Sequence, residues 1–214
     1  EQEPKKPFIL PEANRTMHRA FAYLVKTRCL DPKVVSVFAR RHMIYEDAKY
    51  HNAVFVGFDV DGIPHHAHKR GTCQRGKTFK GNVESCDPRY SFHWIGKSDT
   101  VYVFEAPIDM LSFISMYQKD WMEHSYVALC GVAEHALLQL LEDVPHLSKI
   151  ALCLDHDKAG IEAGERIKKR LSERGYRDVF PLFSCQKDWN EDLQALQKPP
   201  PEFVAECQTV TQMM

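Results

Sequence analysis

Short apolar runs alternate with longer amphipathic stretches along the second half of the chain. Val101–Phe104, Tyr126–Cys130, Lys149–Leu154 and Val179–Phe183 read as strands, and Ile150–Leu154 is a continuous apolar run of the kind expected for a strand covered on both faces. Between them, apolar residues recur at helical spacing. Pro107 opens one helix, with Met110, Leu111, Ile114 and Met116 on its apolar side. Ala133–Glu142, Ile161–Arg174 and Asn190–Leu196 give three more, and Gly175 is placed to end the helix over Ile161–Arg174. Strand–helix alternation of this kind predicts a mostly parallel sheet with helices on both faces.

The first half has a different texture. Met17, Ala20, Phe21, Leu24 and Val25 predict a helix over Asn14–Thr27 with Asn14 as its N-cap. Asp31-Pro32 opens a second helix, to about His42, and the two form a helical hairpin. Asn52 to Asp61 then reads as a strand entering an Asp61-Gly62 turn, with Ile63–Arg70 returning. Residues 81–98 carry no regular pattern. The expected fold class is therefore α/β: a small α+β unit over 1–98, a mostly parallel sheet over 99–198, and a tail over 199–214 beyond the triple proline.

Composition adds bounds. Apolar residues make up 44% and charged residues 27% of the chain, as in an ordinary globular protein. No run approaches the ~20 apolar residues a membrane span requires, and no signal-peptide pattern is present. A cytoplasmic protein is expected. Seven cysteines form no C-x-x-C pair and read as reduced thiols, with no zinc site within this fragment. A chain that starts at Glu1 without Met reads as part of a longer protein. Residues 1–98 carry 17 Lys/Arg and 10 Asp/Glu, whereas residues 99–214 carry 11 and 19. A basic half beside an acidic half suggests a part that holds polyanions next to a part that holds metal.

The basic half has one dense stretch. Lys69, Arg70, Arg75, Lys77 and Lys80 fall together with no acid between them, and Phe79 lies among them. Phosphate contacts and base stacking suit such a stretch; the bland alternative is a solvated hairpin with Phe79 packed inward. His65, His66 and His68 suggest metal at first sight. Only His66 and His68 share a strand face, and two ligands do not make a zinc site. They read as solvent-side histidines or histidines near phosphate.

The acidic half has its acids at strand ends. Glu105 ends the first strand, and Asp109 lies one helical turn on. Asp155 and Asp157 end the third strand, and Asp188 follows the fourth. In a parallel sheet all of these meet at the carboxyl edge, where ligands of open α/β sheets bind. Carboxylates gathered there repel one another unless a cation compensates them. Hard oxygen donors without His or Cys favour Mg²⁺ or Mn²⁺, and such a site suits phosphoryl transfer. Helix capping is the alternative role, and it suits Asp109 or Asp188 better than the Asp155/Asp157 pair. Ala159 and Gly160 are small residues that let backbone or phosphate approach behind the acids.

Phe104-Glu105-Ala-Pro-Ile-Asp109-Met-Leu-Ser112 and Leu154-Asp155-His-Asp157-Lys-Ala-Gly160 together resemble the Toprim domain of bacterial primases, topoisomerases and some nucleases. Lys187-Asp188-Trp-Asn190-Glu191-Asp-Leu193 resembles the trailing acidic motif of the primase branch, which often has a second acid where this chain has Asn190. The helical segment and basic hairpin ahead of these motifs resemble primase-like proteins of plasmids and integrative mobile elements. The similarity covers roughly residues 10–197. It implies catalytic and metal-binding roles for Glu105, Asp155 and Asp157, and metal binding by Asp109 and Asp188. The zinc module that often begins such proteins is absent from this sequence.

The resemblance implies Mg²⁺- or Mn²⁺-dependent nucleotidyl transfer in the replication of a mobile element. Single-stranded DNA and nucleoside triphosphates are the expected partners, with a replicative helicase as a further one. Lys69, Arg70, Arg75, Lys77 and Lys80 would hold template or triphosphate. Two alternatives stay open: a metal-dependent nuclease, and a non-catalytic DNA-binding accessory module, which Asn190 favours. A receiver or phosphatase-like domain fits poorly, because its critical acid sits on an early strand.

Overall fold

The structure is a computed structural model and describes residues 6–73, 79–131 and 133–197. Arg75, Lys77 and the tail over 199–214 lie outside the described residues. The first helix, α1 (His18–Ala22), starts later than the apolar pattern predicts and continues as a π-helical turn over Tyr23–Thr27. Asn14 does not cap it. Instead Asn14 Nδ2 donates to Glu46 Oε1 (2.9 Å), and Glu46 Oε2 accepts the Ala20 N–H (2.8 Å). A buried carboxylate from a distant strand thus satisfies a helix donor that local sequence assigns to Asn14. Asp31 does act as expected: its Oδ1 accepts the N–H groups of Lys33 (2.7 Å) and Val34 (3.1 Å). Pro32 is the first residue of α2 (Pro32–Arg40).

Strands β1 (Ile44–Glu46), β2 (Ala53–Phe58), β3 (Pro64–Arg70) and β4 (Lys80–Asn82) form an antiparallel sheet in chain order. Gly62, at φ +79°, supplies the left-handed turn between β2 and β3. The register decides which cations face inward. Ala53 pairs with Arg70, Phe55 with His68 and Arg70 with Lys80, so these residues share the face that packs toward the second half. Val54 pairs with Lys69 on the opposite face. There Val54, Val56 and Ala67 are covered by Phe8, Leu10 and Tyr45.

The second sheet has five strands. After β5 (His93–Trp94) come β6 (Thr100–Phe104), β7 (Ser125–Ala128), β8 (Lys149–Leu152) and β9 (Asp178–Pro181). Their order is β5-β7-β6-β8-β9, and β6 to β9 are mutually parallel, as the alternation predicts. β5 is the edge strand and runs antiparallel to β7. It lies within the segment that has no pattern, ahead of the division expected after residue 98, yet it pairs with β7 of the second half. A two-residue strand is too short to show a period in sequence.

Helices cover both faces. α3 (Pro107–Met116) and α6 (Trp189–Gln197) pack on one face together with α1 and α2. α4 (His135–Asp143) and α5 (Lys158–Glu173) pack on the other. The first cluster runs unbroken between the two sheets: the Phe38 ring lies 5.3 Å from Phe92, 5.3 Å from Trp94 and 5.6 Å from Trp121. The shared aromatic core therefore fixes the first sheet against the carboxyl edge of the second. Among the described residues, no helix is long and apolar enough to cross a membrane.

Candidate functional site

Because β6 and β8 are parallel neighbours, Glu105 and Asp155 leave the sheet at the same edge. The Asp155 N–H donates to Glu105 Oε1 over 3.4 Å. Asp109, in the first turn of α3, is 8% exposed. Asp188 precedes α6, and its Oδ1 accepts the Glu191 N–H (2.7 Å). Trp189 anchors that helix by donating from Nε1 to the Cys153 carbonyl (2.9 Å). Glu105, Asp109, Asp155 and Asp188 all line one cleft of about 400 Å³.

Gly160 makes this spacing possible. A Cβ at 160 would overlap the Asp155 carbonyl and lie 3.0 Å from Glu105 Oε1. Asp157 is not among the residues that line the cleft. Its Oδ1 accepts the Gly160 N–H (3.0 Å) as the N-cap of α5, and its Oδ2 lies 3.6 Å from Lys187 Nζ. These contacts hold its carboxyl below the usual range, the Gly160 N–H being the largest cause.

The other acids are pushed the opposite way. Burial, then the charges of Glu105, Asp188 and Asp157, raise Asp155 to about 7. Burial, then Asp188 and Asp155, raise Asp109 well above the carboxylate range. Burial raises Glu105, with Asp157 adding to it and Lys187 and Lys80 opposing. Such a cluster resists carrying full charge on its own. Hard oxygen donors that repel one another fit a divalent cation by their chemistry. Among the described residues, no three His, Cys, Asp or Glu side chains close on a single point.

The wall opposite the acids is cationic. Arg70 and Lys80 line the cleft from the first sheet, and Arg28 lines it from the end of the π-helical turn. The Tyr23 hydroxyl gathers two guanidinium groups, accepting from Arg28 Nε (2.8 Å) and Arg70 Nε (3.3 Å). Among the described residues, no carboxylate forms an ion pair with either arginine. Two bare guanidinium groups held side by side favour a multiply charged anion.

The basic stretch is thus divided by strand parity. Arg70 and Lys80 face the cleft, whereas Lys69 faces the outer side. There its Nζ lies 5.5 Å from the centre of the Phe79 ring. Phe79 is 50% exposed and does not pack inward. Its ring lies close to Gly81, which has no side chain to displace it, and its backbone and Cβ lie against Gly71. Arg75 and Lys77 lie outside the described residues.

The histidines are not solvent-side as a group. His65 Nε2 is 2.8 Å from Asp59 Oδ2. His68 is buried in the cleft wall with Nδ1 2.7 Å from Asn82 Oδ1. His66 is fully buried, and neither ring nitrogen has a partner among the described residues. Burial, then His68, lowers His66 to about 4.

Sequence reasoning missed Arg28 and Tyr23. Neither belongs to a motif, and Arg28 meets its partner Asn190 across a separation of 162 residues. The one local signal is a cation at the end of a helical turn whose nearest acid, Asp31, is occupied in capping α2.

Residues 102–193 match the Toprim-like family profile, and residues 22–98 match DUF3991, a family described as of unknown function. The chain is 24% identical over 202 residues to an uncharacterized protein of Bacillus anthracis, covering 84% of this chain and 58% of that protein. It therefore spans just over half the length of this relative. The primase fragment of the bacteriophage T7 primase-helicase protein superposes with a TM-score of 0.61 at 18% identity, over 89% of this chain and 77% of that one. The DnaG catalytic core gives 0.58 at 15% identity, over 85% and 70%. At these identities the likeness is one of fold.

Proposed function

The chain carries a Toprim domain of primase-like fold, and we propose that it catalyses nucleotidyl transfer on a single-stranded nucleic-acid template. One observation carries the reading. The acids Glu105, Asp109, Asp155 and Asp188 and the cations Arg28, Arg70 and Lys80 line the same cleft of about 400 Å³. A nucleoside triphosphate needs both: cations for its phosphate oxygens, and carboxylates for the metal it brings.

Glu105, Asp109, Asp155, Asp157 and Asp188 are the donors that would hold Mg²⁺ or Mn²⁺. The bound ion would neutralise phosphate charge and align the attacking and leaving oxygens. Arg28 and Arg70, spaced by the Tyr23 hydroxyl, hold the polyphosphate, and Lys80 adds a third cation. A 3′-hydroxyl oxygen attacks the α-phosphorus, the bond to the bridging oxygen breaks, and pyrophosphate leaves. The hydroxyl proton passes to a carboxylate. Glu105 suits that role, because burial raises its proton affinity above that of an ordinary glutamate. Lys69 and Phe79 on the outer face, with Arg75 and Lys77 of the adjoining segment, are offered to the template strand.

The T7 fragment belongs to a primase-helicase protein, and a replicative helicase is the partner this reading adds. Replication of a mobile element and a cytoplasmic location complete it. The test is primer synthesis by the intact protein on single-stranded DNA, with nucleoside triphosphates and Mg²⁺ or Mn²⁺. Short labelled products that vanish in Glu105→Gln support the reading. Cleavage of the template without synthesis replaces it with a nuclease, and no reaction with either metal removes the enzymatic reading.

A further inference from the structure

Asn190 stands where a second acid is common in the motif that ends the site, yet its side chain does not face the acids. It is 3% exposed and lies in the first turn of α6. Its Nδ2 donates to the Arg28 carbonyl (2.8 Å) and to Ser112 Oγ (2.9 Å). Its Oδ1 accepts from Arg28 Nη1 (3.2 Å) and Gln194 Nε2 (2.8 Å). The orientation of the amide follows from its partners. A main-chain carbonyl can only accept, and a guanidinium can only donate. Ser112 spends its own proton on the Ile108 carbonyl (2.7 Å), so its oxygen is free to accept. All the usual bonds of the amide are made, and nothing is left over for a cation.

These contacts converge on Arg28. One face of its guanidinium is held at Nε by the Tyr23 hydroxyl and the other at Nη1 by Asn190. Both partners are neutral. The side chain is therefore fixed in the cleft wall with its whole positive charge available. An aspartate at 190 would have almost the same shape and the opposite effect. It would pair its charge with Arg28, withdraw that charge from the cleft, and lose the two donations from Nδ2.

We propose that Asn190 is a positioning residue: it holds Arg28 as an un-neutralised cation for the polyphosphate and is not a ligand of the divalent metal. The inference rests on the reading of the cleft as a triphosphate site. It assigns the missing acid of the motif a distinct task, performed across the junction of the two halves.

The test is calorimetric titration of the full chain with inorganic tripolyphosphate in metal-free buffer at several salt concentrations, and separately with Mn²⁺ alone. Asn190→Asp is expected to weaken tripolyphosphate binding about tenfold, the loss of one charge-assisted contact. It should also lower the salt dependence by about one counterion. Arg28→Gln should show the same loss, and the double variant no more than either alone. Arg28→Lys keeps the charge and should recover part of the affinity. Mn²⁺ affinity should not fall in Asn190→Asp. Wild-type-like tripolyphosphate binding by Asn190→Asp, or additive losses in the double variant, overturns the proposal. If the wild-type chain does not bind tripolyphosphate, the reading of the cleft falls first and the positioning role with it. That result is distinct from a wild type that binds and a variant that binds equally.

Discussion

The main-chain N–H of Asp155 donates to Oε1 of Glu105 across 3.4 Å. The bond joins the acids that follow two neighbouring parallel strands, and it leaves both carboxylate oxygens of Asp155 outside it. The backbone, not a side-chain pair, therefore sets the spacing of the acidic edge, and Gly160 lies directly behind that backbone.

Gly160→Ala is expected to cost about 1–3 kcal/mol, because the new methyl group meets main chain and not a yielding side-chain tip. The Asp155 carbonyl and carbon and Glu105 Oε1 are the atoms it would meet. Urea unfolding gives the stability loss. A Mn²⁺ titration of the folded variant should show weaker binding, since the displaced atoms belong to the acidic edge itself.

Asp155→Asn should stabilise the metal-free protein at pH 8. The folded-state value of about 7 lies above that of an ordinary aspartate. Between about pH 4 and 7 the folded chain keeps a proton that the unfolded chain has released, so wild-type stability falls as pH rises through that window. Asparagine does not titrate. Solvent screening of this partly exposed group leaves a gain on the order of 1–2 kcal/mol at pH 8. It should vanish near pH 4, as read by chemical unfolding in EDTA.

Tyr23→Phe removes the hydroxyl that both arginines share while keeping the buried ring. The guanidinium groups are no longer held together, and triphosphate affinity should fall about three- to tenfold, the worth of one or two such bonds. Steady-state kinetics should show the change in KM with kcat little altered, because the hydroxyl positions binding groups and not the reacting oxygens.

His66→Leu should remove an acid sensitivity. The ring is fully buried and its value is lowered to about 4. As pH falls from about 6.5 to 4, the unfolded chain takes up a proton that the folded chain refuses, and wild-type stability is lost. Leucine has no such loss, so the gap in its favour should widen by about 2–3 kcal/mol between pH 7.5 and 4. Unfolding curves at the two pH values measure it.

The parallel sheet and its acidic edge were legible because strand ends carry local signals. Four apolar runs stop at, or just before, Glu105, Gly131, Asp155 and the segment leading to Asp188, and periodicity alone places them at one edge. The hairpin was legible through Asp61-Gly62. Contacts made at long range were not. Glu46 caps α1 in place of Asn14 because a buried carboxylate arrives from β1. His66 and His68 are buried because the aromatic core of Phe38, Phe55 and Phe92 draws their strand face inward. Strand parity, hidden in a run of like charges, sends Lys69 outward and Arg70 inward. Asn190 could be seen as a departure from an acidic motif, but its bond to Arg28 exists only once the two halves are packed.

The most direct test of the central claim is uptake of Mn²⁺ measured by electron paramagnetic resonance, with and without ATP, in the full chain and in Glu105→Gln/Asp155→Asn. Binding of metal and triphosphate in one cleft predicts that ATP and protein together quench more of the free Mn²⁺ signal than their separate effects combined. It also predicts that the double variant loses this excess. An equal excess in the double variant, or none in the wild-type chain, would contradict the claim that the acidic edge and the arginine wall form a single site.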